Sequence, residues 1–236
     1  MEEKFQNHGE ISLAHHGVLF LDELPEFNKK VLEVLRGPLE DKKISISRLH
    51  MAVTYPCNFI FVASMNPCPC GYYGSHEKKC NCKPEQIKKY INKISGPLLD
   101  RIDLQIEVKS VPYQKMEDNE KIEKSEEIRE RVNKARKIQV ERYQKYSIFS
   151  NSELTPNLIQ KYCQLNQESR RILENAFEKL GLSARAYNRI LKVARTIADL
   201  EEKKDIEIAH LAEAIQYRNL DRKYWGDSYE KNYNRR

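Results

Sequence analysis

The sequence lacks the features that mark membrane and secreted proteins. It contains no run of 18 apolar residues, and residues 1–20 do not follow the basic-then-apolar order of a signal peptide. These absences argue against a transmembrane helix and against a secretory leader. We therefore expect a cytoplasmic protein without a membrane partner.

Glycine is also scarce, and a glycine-rich phosphate-binding loop is missing. Only 8 glycines occur, Gly9 is the first of them, and no G-x-x-x-x-G-K-[ST] segment is found. The backbone N–H groups and the lysine of such a loop supply most of the grip on a nucleoside triphosphate. We therefore expect that this polypeptide does not hold a triphosphate on its own.

The chain is long enough for one large domain or two small ones. Hydrophobic residues make up 40% and charged residues 32% of its 236 residues, which is ordinary for a helix-rich globular protein. The formal net charge of +6 is compatible with nucleic-acid binding. Solvated, charged helix faces account for most of this charge without any such partner.

Apolar periodicity predicts an α/β part followed by an all-helical part. Buried strands are predicted at 18–21 and 59–63, a further strand at 104–108, a β-hairpin at 44–55, and helices at 27–39 and 84–94. Five helices are predicted after residue 125, and the first has its apolar face at Ile128, Val132, Ala135 and Ile138. We divide the chain into an α/β core at 1–112, a linker at 113–124, a helical domain at 125–218 and a polar tail at 219–236.

Polar residues follow two of the predicted strands. Asp22 and Glu23 end the first strand, and Asn66 follows the strand at 59–63. In phosphoryl transfer an aspartate at such a position holds the magnesium shell, and a neighbouring glutamate orients the attacking water. The alternative is that the acidic pair only starts a helix and that Asn66 is a turn residue.

Four of the 6 cysteines fall in one short loop. They form two C-x-C pairs, Cys68 with Cys70 and Cys80 with Cys82. In a reducing compartment such a cluster favours zinc over disulfides, and His76 is an alternative ligand. Redox-active or unligated thiols remain the alternative. The isolated Cys57 and Cys163 are predicted to be small buried side chains.

Six separate and unusual motifs follow one another along the chain. They are GEISLAH at 9–15, GVLFLDELPE at 17–26, SMNPCPCG at 64–71, SGPLLDRID at 95–103, LSARAY at 182–187 and VARTIAD at 193–199. In this order they resemble the motifs of the magnesium-chelatase-like AAA+ ATPases of the ComM/YifB type, and the resemblance covers roughly residues 9–218. The implied fold is a partial AAA+ P-loop core with a truncated sheet and a zinc loop, followed by a helical lid.

The resemblance implies a role for each motif residue. Asp22 and Glu23 would be the Walker B pair, Asn66 the sensor-1 residue, and Arg101 the arginine finger that reaches a neighbouring subunit's nucleotide. Without the resemblance, a salt bridge to Asp100 or Asp103 is the simpler role for Arg101. In the helical lid, the sensor-2 and nucleotide-binding arginine would be Arg185, with Arg189 and Arg195 as the other candidates. The implied cofactors are ATP with magnesium, and zinc.

The resemblance also implies partners. The family has a Lon-like N-terminal domain and a phosphate-binding loop, so we expect the chain to be part of a longer or split protein. It would act in a homo-oligomeric ring or with an N-terminal half that carries the loop. DNA would be contacted by basic residues of the hairpin, namely Lys42, Lys43, Arg48 and His50, although exposed hairpin ends are often basic for no further reason. The alternatives are a non-catalytic, zinc-stabilised interaction module and a magnesium chelatase subunit, against which the cysteine loop argues.

Overall fold

A computed structural model describes residues 8–48, 51–75, 78–108, 123–180, 182–218 and 220. These residues form two compact units, which divide between Ile102 and Asp103. The first is a mixed α/β unit, and the second is built mainly from helices. No helix in the described ranges is both long and apolar enough to cross a bilayer. Most of the predicted linker and tail, at 113–122, 219 and 221–236, lies outside these ranges.

The α/β unit combines two small sheets with short helices. Local signals set several boundaries, because the side chains of Asn28 and Ser95 cap helices and Pro84 opens one. The strands are β1 (Val18–Leu21), β2 (Lys43–Arg48), β3 (Met51–Pro56) and β4 (Ile60–Ala63). The helices are α1 (Glu10–Leu13), α2 (Lys29–Val34), α3 (Arg36–Asp41), α4 (Pro84–Ile91) and α5 (Gly96–Leu99), with a 3-10 turn at Leu24–Glu26.

The two sheets differ in the direction of their strands. Strands β1 and β4 pair in parallel, from Val18 opposite Ile60 to Leu21 opposite Ala63. Strands β2 and β3 pair in antiparallel fashion, which confirms the predicted hairpin at 44–55. Because β1 and β4 run in the same direction and in register, their carboxyl ends lie at the same edge.

The predicted burial of β1 and β4 is wrong for one of their two faces. Inward side chains such as Leu19 and Phe61 pack against a core built from α2, α5 and the segments beside them. In the described part of the chain, helices cover only this face, so the alternation of side chains along each strand leaves the other face in solvent. The outward side chains are 42% to 65% exposed: Val18, Phe20, Ile60 and Val62.

The helical unit confirms the five helices predicted after residue 125. Pro156 opens one of them, and Ser183 Oγ caps another by accepting a hydrogen bond from the N–H of Ala186. Its core contains fully buried side chains such as Leu173 and Leu211. The helices are α6 (Ser125–Arg142), α7 (Pro156–Tyr162), α8 (Gln167–Leu180), α9 (Ala184–Leu200) and α10 (Ile208–Gln216), with a 3-10 turn at Asn151–Glu153.

The predicted strand at 104–108 does not form. This segment has no regular secondary structure, and its alternate side chains Leu104, Ile106 and Val108 are 47%, 66% and 87% exposed. One backbone hydrogen bond of 3.0 Å runs from the N–H of Gln105 to the carbonyl of Tyr217. An alternating pattern needs a neighbouring strand to complete the ladder, and none of the described strands lies beside this segment.

The predicted apolar face of α6 is right only in its C-terminal half. Ala135 is buried, but Ile128 and Val132 are 42% and 43% exposed. The buried side of this helix begins at Ala135 and continues with Gln139, which accepts a hydrogen bond from the backbone N–H of Asn151. The core therefore holds only the second half of α6, partly through polar contacts that hydrophobic periodicity does not reveal.

Candidate functional site

The parallel strands bring polar groups together at their carboxyl edge. Leu21 and Ala63, the last residues of β1 and β4, are opposite each other, so Asp22 and Ser64 follow at adjacent positions. Ser64 Oγ donates a hydrogen bond to Asp22 Oδ1, and the Ser64 N–H donates to the Leu21 carbonyl over 3.0 Å. This is the edge at which open α/β sheets bind ligands.

Ser64 is a site residue that sequence reasoning missed. The available signal was its position. Ser64 directly follows the strand predicted at 59–63, and Asp22 directly follows the strand predicted at 18–21. The pairing became visible only with the register of β1 and β4. We name the group formed by Asp22, Glu23, Ser64 and Asn66 the strand-edge site.

Glu23 holds an unusual backbone conformation within the strand-edge site. Its φ and ψ are 51° and 50°, in the left-handed region. Its N–H donates to Asp22 Oδ1 over 3.0 Å and lies 3.3 Å from Ser64 Oγ. A non-glycine residue in this conformation costs on the order of 1–3 kcal/mol, and such residues are enriched at active sites.

Asn66 is exposed and lies two residues beyond Ser64. Burial raises the pKa of Tyr90 on α4, and a hydrogen bond with the backbone of Asn66 opposes that rise. Gly71 has a φ of +81°, and a Cβ added there would stand 4.0 Å from Asn66 Oδ1. Asn66 is therefore flanked by α4 on one side and by the cysteine loop on the other.

Arg101 follows α5 and lies against the α/β unit, with only 7% of its side chain exposed. Its guanidinium forms an ion pair with Glu40 of α3, and Nη1 donates to the carbonyl of Pro97 over 2.6 Å. The ion-pair partner is thus on another helix and is neither of the acids next to Arg101 in sequence. Its Nε is buried and has no hydrogen-bond partner among the described residues.

The three candidate lid arginines on α9 have different surroundings. Arg185 is exposed. Arg189 forms an ion pair with Asp103 within the helical unit. Arg195 is only 2% exposed and forms an ion pair with Asp199, which is fully buried. Arg195 therefore stabilises the helical core, which argues against it as a lid ligand; the roles of Arg185 and Arg189 stay predictions.

The basic residues of the hairpin lie at different positions along it. Lys43 starts β2 opposite Pro56, so Lys42 and Lys43 lie at the base of the hairpin. The backbone of Arg48 ends β2 at the turn. His50 lies outside the described residues, so the predicted DNA contact stays a prediction.

The four loop cysteines come together as the sequence predicted. Their Sγ atoms all lie within 4.8 Å of one another, with distances of 3.4 Å for Cys68–Cys70, 3.7 Å for Cys68–Cys80 and 3.5 Å for Cys70–Cys80. Four thiolates around zinc at about 2.3 Å are separated by about 3.8 Å in a tetrahedron, so the cluster fits this metal. The alternative ligand, His76, lies outside the described residues.

The surroundings of the cysteine cluster also suit a metal. Cys68 is buried against Ile87 and Ile91 of α4. Hydrogen bonds from the backbone of Tyr72 and Asn81 lower the pKa of Cys70 to about 6. Such bonds orient and stabilise metal-binding thiolates. The other two cysteines, 57 and 163, are buried as predicted.

Comparisons with known proteins agree with these features. Two family models, described as "Magnesium chelatase, subunit ChlI" and "Magnesium chelatase, subunit ChlI C-terminal", match residues 3–116 and 122–218. The competence protein ComM of Haemophilus influenzae is 50% identical over 91% of this chain. This chain belongs to the magnesium-chelatase-like family of the ComM/YifB type. Other members are the uncharacterized protein YifB of Salmonella typhimurium, 46% identical over 91% of the chain, and the uncharacterized protein Mb2921c of Mycobacterium bovis, 33% identical over 89%.

The chain spans only part of these magnesium-chelatase-like relatives. It covers 41% of the length of ComM, and the same 41% of YifB and of the mycobacterial protein. The activity and partners of the whole relatives therefore do not transfer directly to this polypeptide.

Proposed function

We propose that this polypeptide is a portion of an AAA+ ATPase and contributes the water-activating and charge-stabilising side chains of ATP hydrolysis. The phosphate-binding loop comes from the rest of the protein or from a separate N-terminal polypeptide. Hydrolysis in a ring of subunits is coupled to DNA remodelling or helicase action. The isolated chain has negligible ATPase activity, because it lacks the loop that grips the triphosphate.

The observation that carries this proposal is the hydrogen-bonded end of the two parallel strands. Asp22 accepts from Ser64, and the left-handed turn at Glu23 follows at once. A carboxylate fixed in this way is suited to hold the water shell of Mg²⁺. The next carboxylate is suited to orient the attacking water, and an exposed amide at Asn66 to contact the water or the γ-phosphate.

Arg101 supplies the positive charge of the proposed mechanism. A fixed guanidinium stabilises the charge of the transferring phosphoryl group when it reaches a neighbouring subunit's nucleotide. In the free chain Arg101 forms an ion pair with Glu40. When a neighbouring subunit binds, this ion pair must break, or the arginine must contact the nucleotide while still paired with Glu40. In the lid, Arg185 and Arg189 are the proposed contacts to the nucleotide of their own subunit.

The exposed face of β1 and β4 supports the proposal that a further segment of the complete protein packs on these strands. Parallel strands are normally covered on both faces. Here Phe20 and Ile60 are 58% and 65% exposed on one face of β1 and β4. We propose that further strands and helices of the AAA+ core, including the strand that carries the phosphate-binding loop, pack beside and over this pair.

The cysteine cluster holds structural zinc in this proposal. The four Sγ atoms of the cluster would complete a closed tetrahedral site that leaves no position for substrate. The site joins the loop to α4, beside the backbone of Asn66. The metal would contribute folding energy beyond what the small apolar cluster of Cys68 with α4 supplies.

The DNA part of the proposal rests on the family resemblance and on basic charge. The net charge is +6, and Lys42, Lys43 and Arg48 lie along the β2–β3 hairpin. Lysine and arginine at such positions neutralise backbone phosphates without reading the sequence.

Reconstitution tests the catalytic proposal. The chain is mixed with a polypeptide that carries the phosphate-binding loop, and ATP hydrolysis is measured for each alone and for the mixture. We expect activity only in the mixture. Asp22→Asn should lower that activity about 100-fold or more, because it weakens the magnesium site.

Asp41→Asn is the matched control, since Asp41 is exposed at the end of α3 and is not in the strand-edge site. It should leave the activity of the mixture unchanged. Tight ATP binding by the chain alone, or a mixture that hydrolyses ATP equally well with Asp22→Asn, would refute the proposal.

A non-catalytic interaction module is the second candidate. It is favoured by the same uncovered strand face, which can bind another polypeptide without any chemistry. In that case the mixture forms a stable complex, zinc is required for its stability, and no ATP hydrolysis appears.

A further inference from the structure

The helical unit contains a cavity of about 240 Å³ that is distinct from the strand-edge site. Helices α6, α7 and α9 and the segment after α9 contribute its walls. Four of its lining residues are cationic. Its lining includes Arg142, Lys161, Tyr162, Arg195, Lys204 and Asp205.

Behind this cavity, two guanidinium groups share one carboxylate. Asp199 is fully buried, and its Oδ1 accepts from Arg142 Nη2 over 2.5 Å and from Arg195 Nε over 3.1 Å. Its Oδ2 accepts from Arg142 Nη1 over 2.9 Å and from Asn151 Nδ2 over 2.8 Å. The single negative charge is therefore saturated with hydrogen bonds and neutralises only one of the two arginines.

The remaining lining adds further positive charge. Lys161 Nζ lies 3.1 Å from the hydroxyl of Tyr146 and 5.3 Å from the ring centre of Tyr162. Lys204 adds a second ammonium group, and Asp205 is the acid among the lining residues that the structure describes. Among the described lining residues there are thus four cations and one carboxylate, that of Asp205, while Asp199 lies behind the cavity.

This excess of positive charge favours the binding of an anion. The two arginines are paired with Asp199, whereas Lys161 and Lys204 are exposed, so their ammonium groups are accessible to a ligand. A guanidinium carries five N–H donors, and Arg195 uses three of them on Asp199 and on the carbonyls of Lys203 and Lys204. The planar donor array of arginine matches phosphate oxygens, and lysine adds a point charge.

We propose that this cavity binds a dianionic phosphate group, either free or at the end of a nucleotide or nucleic-acid chain. Its volume is below the roughly 300 Å³ at which pockets for whole drug-sized ligands begin. A terminal phosphate or pyrophosphate therefore fits inside, whereas an attached nucleoside would remain outside. The helical unit alone builds this site, so the proposal is independent of the ATPase assignment.

Calorimetric titration of the full 236-residue chain with sodium pyrophosphate, at constant ionic strength in chloride, tests the site. We expect saturable 1:1 binding that weakens at least about tenfold in Lys161→Ala and in Lys204→Ala, since each removes one charge from the lining. Lys161→Arg should bind within about threefold of the wild type. Lys137→Ala is the matched control, because Lys137 is exposed on α6 and does not line the cavity.

Competition distinguishes the sources of the phosphate. Displacement of pyrophosphate by a short 5′-phosphorylated oligonucleotide, but not by its 5′-hydroxyl form, assigns the site to a nucleic-acid end; displacement by inorganic phosphate alone assigns it to a free ion. Either result supports the cavity as a phosphate site. Pyrophosphate binding that is not saturable, or that weakens equally in Lys137→Ala, overturns the proposal.

Discussion

The two units of this chain reach their folds by different means. The helical unit encloses a continuous core that includes Leu173, Ile190 and Leu211, and it adds a buried charge cluster around Asp199. The α/β unit has smaller cores, one exposed strand face and a loop held at its cysteines. The comparison teaches that the helical unit buries a core of its own, whereas the α/β unit leaves one strand face exposed and gathers four cysteines that could hold a metal.

Removal of the proposed zinc should have the largest effect, and this effect should be confined to the α/β unit. Structural zinc sites contribute about 10–16 kcal/mol of binding free energy in small zinc-dependent peptides. A strong chelator should therefore abolish amide exchange protection in residues 68–82 and lower it in α4, which packs on Cys68. Protection in α9 and α10 should not change.

Hydrogen exchange with mass spectrometry measures both regions in one sample. Cys68→Ser should reproduce the effect of the chelator, and Cys57→Ser serves as a control outside the cluster. Unchanged protection of residues 68–82 after chelation would mean that the loop folds without metal. The proposed difference in metal dependence between the two units would then be wrong.

Loss of the buried carboxylate in the helical unit should have the next largest effect. Asp199→Asn removes the negative charge between Arg142 and Arg195, and breaking a buried pair in this way costs about 3–5 kcal/mol. Urea unfolding gives the change in the free energy of unfolding. Glu174→Gln on the exposed side of α8 should stay within about 0.5 kcal/mol of the wild type. A similar result for both variants would show that the charge cluster does not stabilise the core.

Substitution on the exposed strand face should have the smallest effect on the chain alone. Ile60 is 65% exposed, so Ile60→Thr should change the free energy of unfolding by less than about 0.5 kcal/mol. The same change should weaken association with the polypeptide that carries the phosphate-binding loop, as measured by sedimentation of the mixture. A large loss of stability in the isolated chain would show that this face is already covered.

Local signals explain which parts of the fold were predictable. The hairpin at 44–55 and the helix starts at Pro156 and Ser183 depend on neighbouring residues, and all three are confirmed. The strand predicted at 104–108 and the outer faces of β1 and β4 depend on distant partners. Alternation or apolar character alone does not show whether such partners exist.

The same distinction applies to the strand-edge site. Asp22, Glu23 and Asn66 were recognisable because they follow strands, and the cysteine cluster was recognisable from its spacing. Ser64 and Glu40 became visible only through contacts 42 and 61 residues apart in sequence. The roles of Arg101 and of the lid arginines still rest on family resemblance.

The left-handed turn at Glu23 has a consequence for variation at this position. Glycine or asparagine would adopt this backbone conformation at a lower cost, so folding alone does not favour glutamate there. Glutamate at a φ of 51° carries a backbone cost, which the proposed role of its carboxylate in orienting water would offset. Substitution of Glu23 by glycine should therefore raise the free energy of unfolding and lower the proposed ATPase activity, which is the usual trade-off between stability and activity.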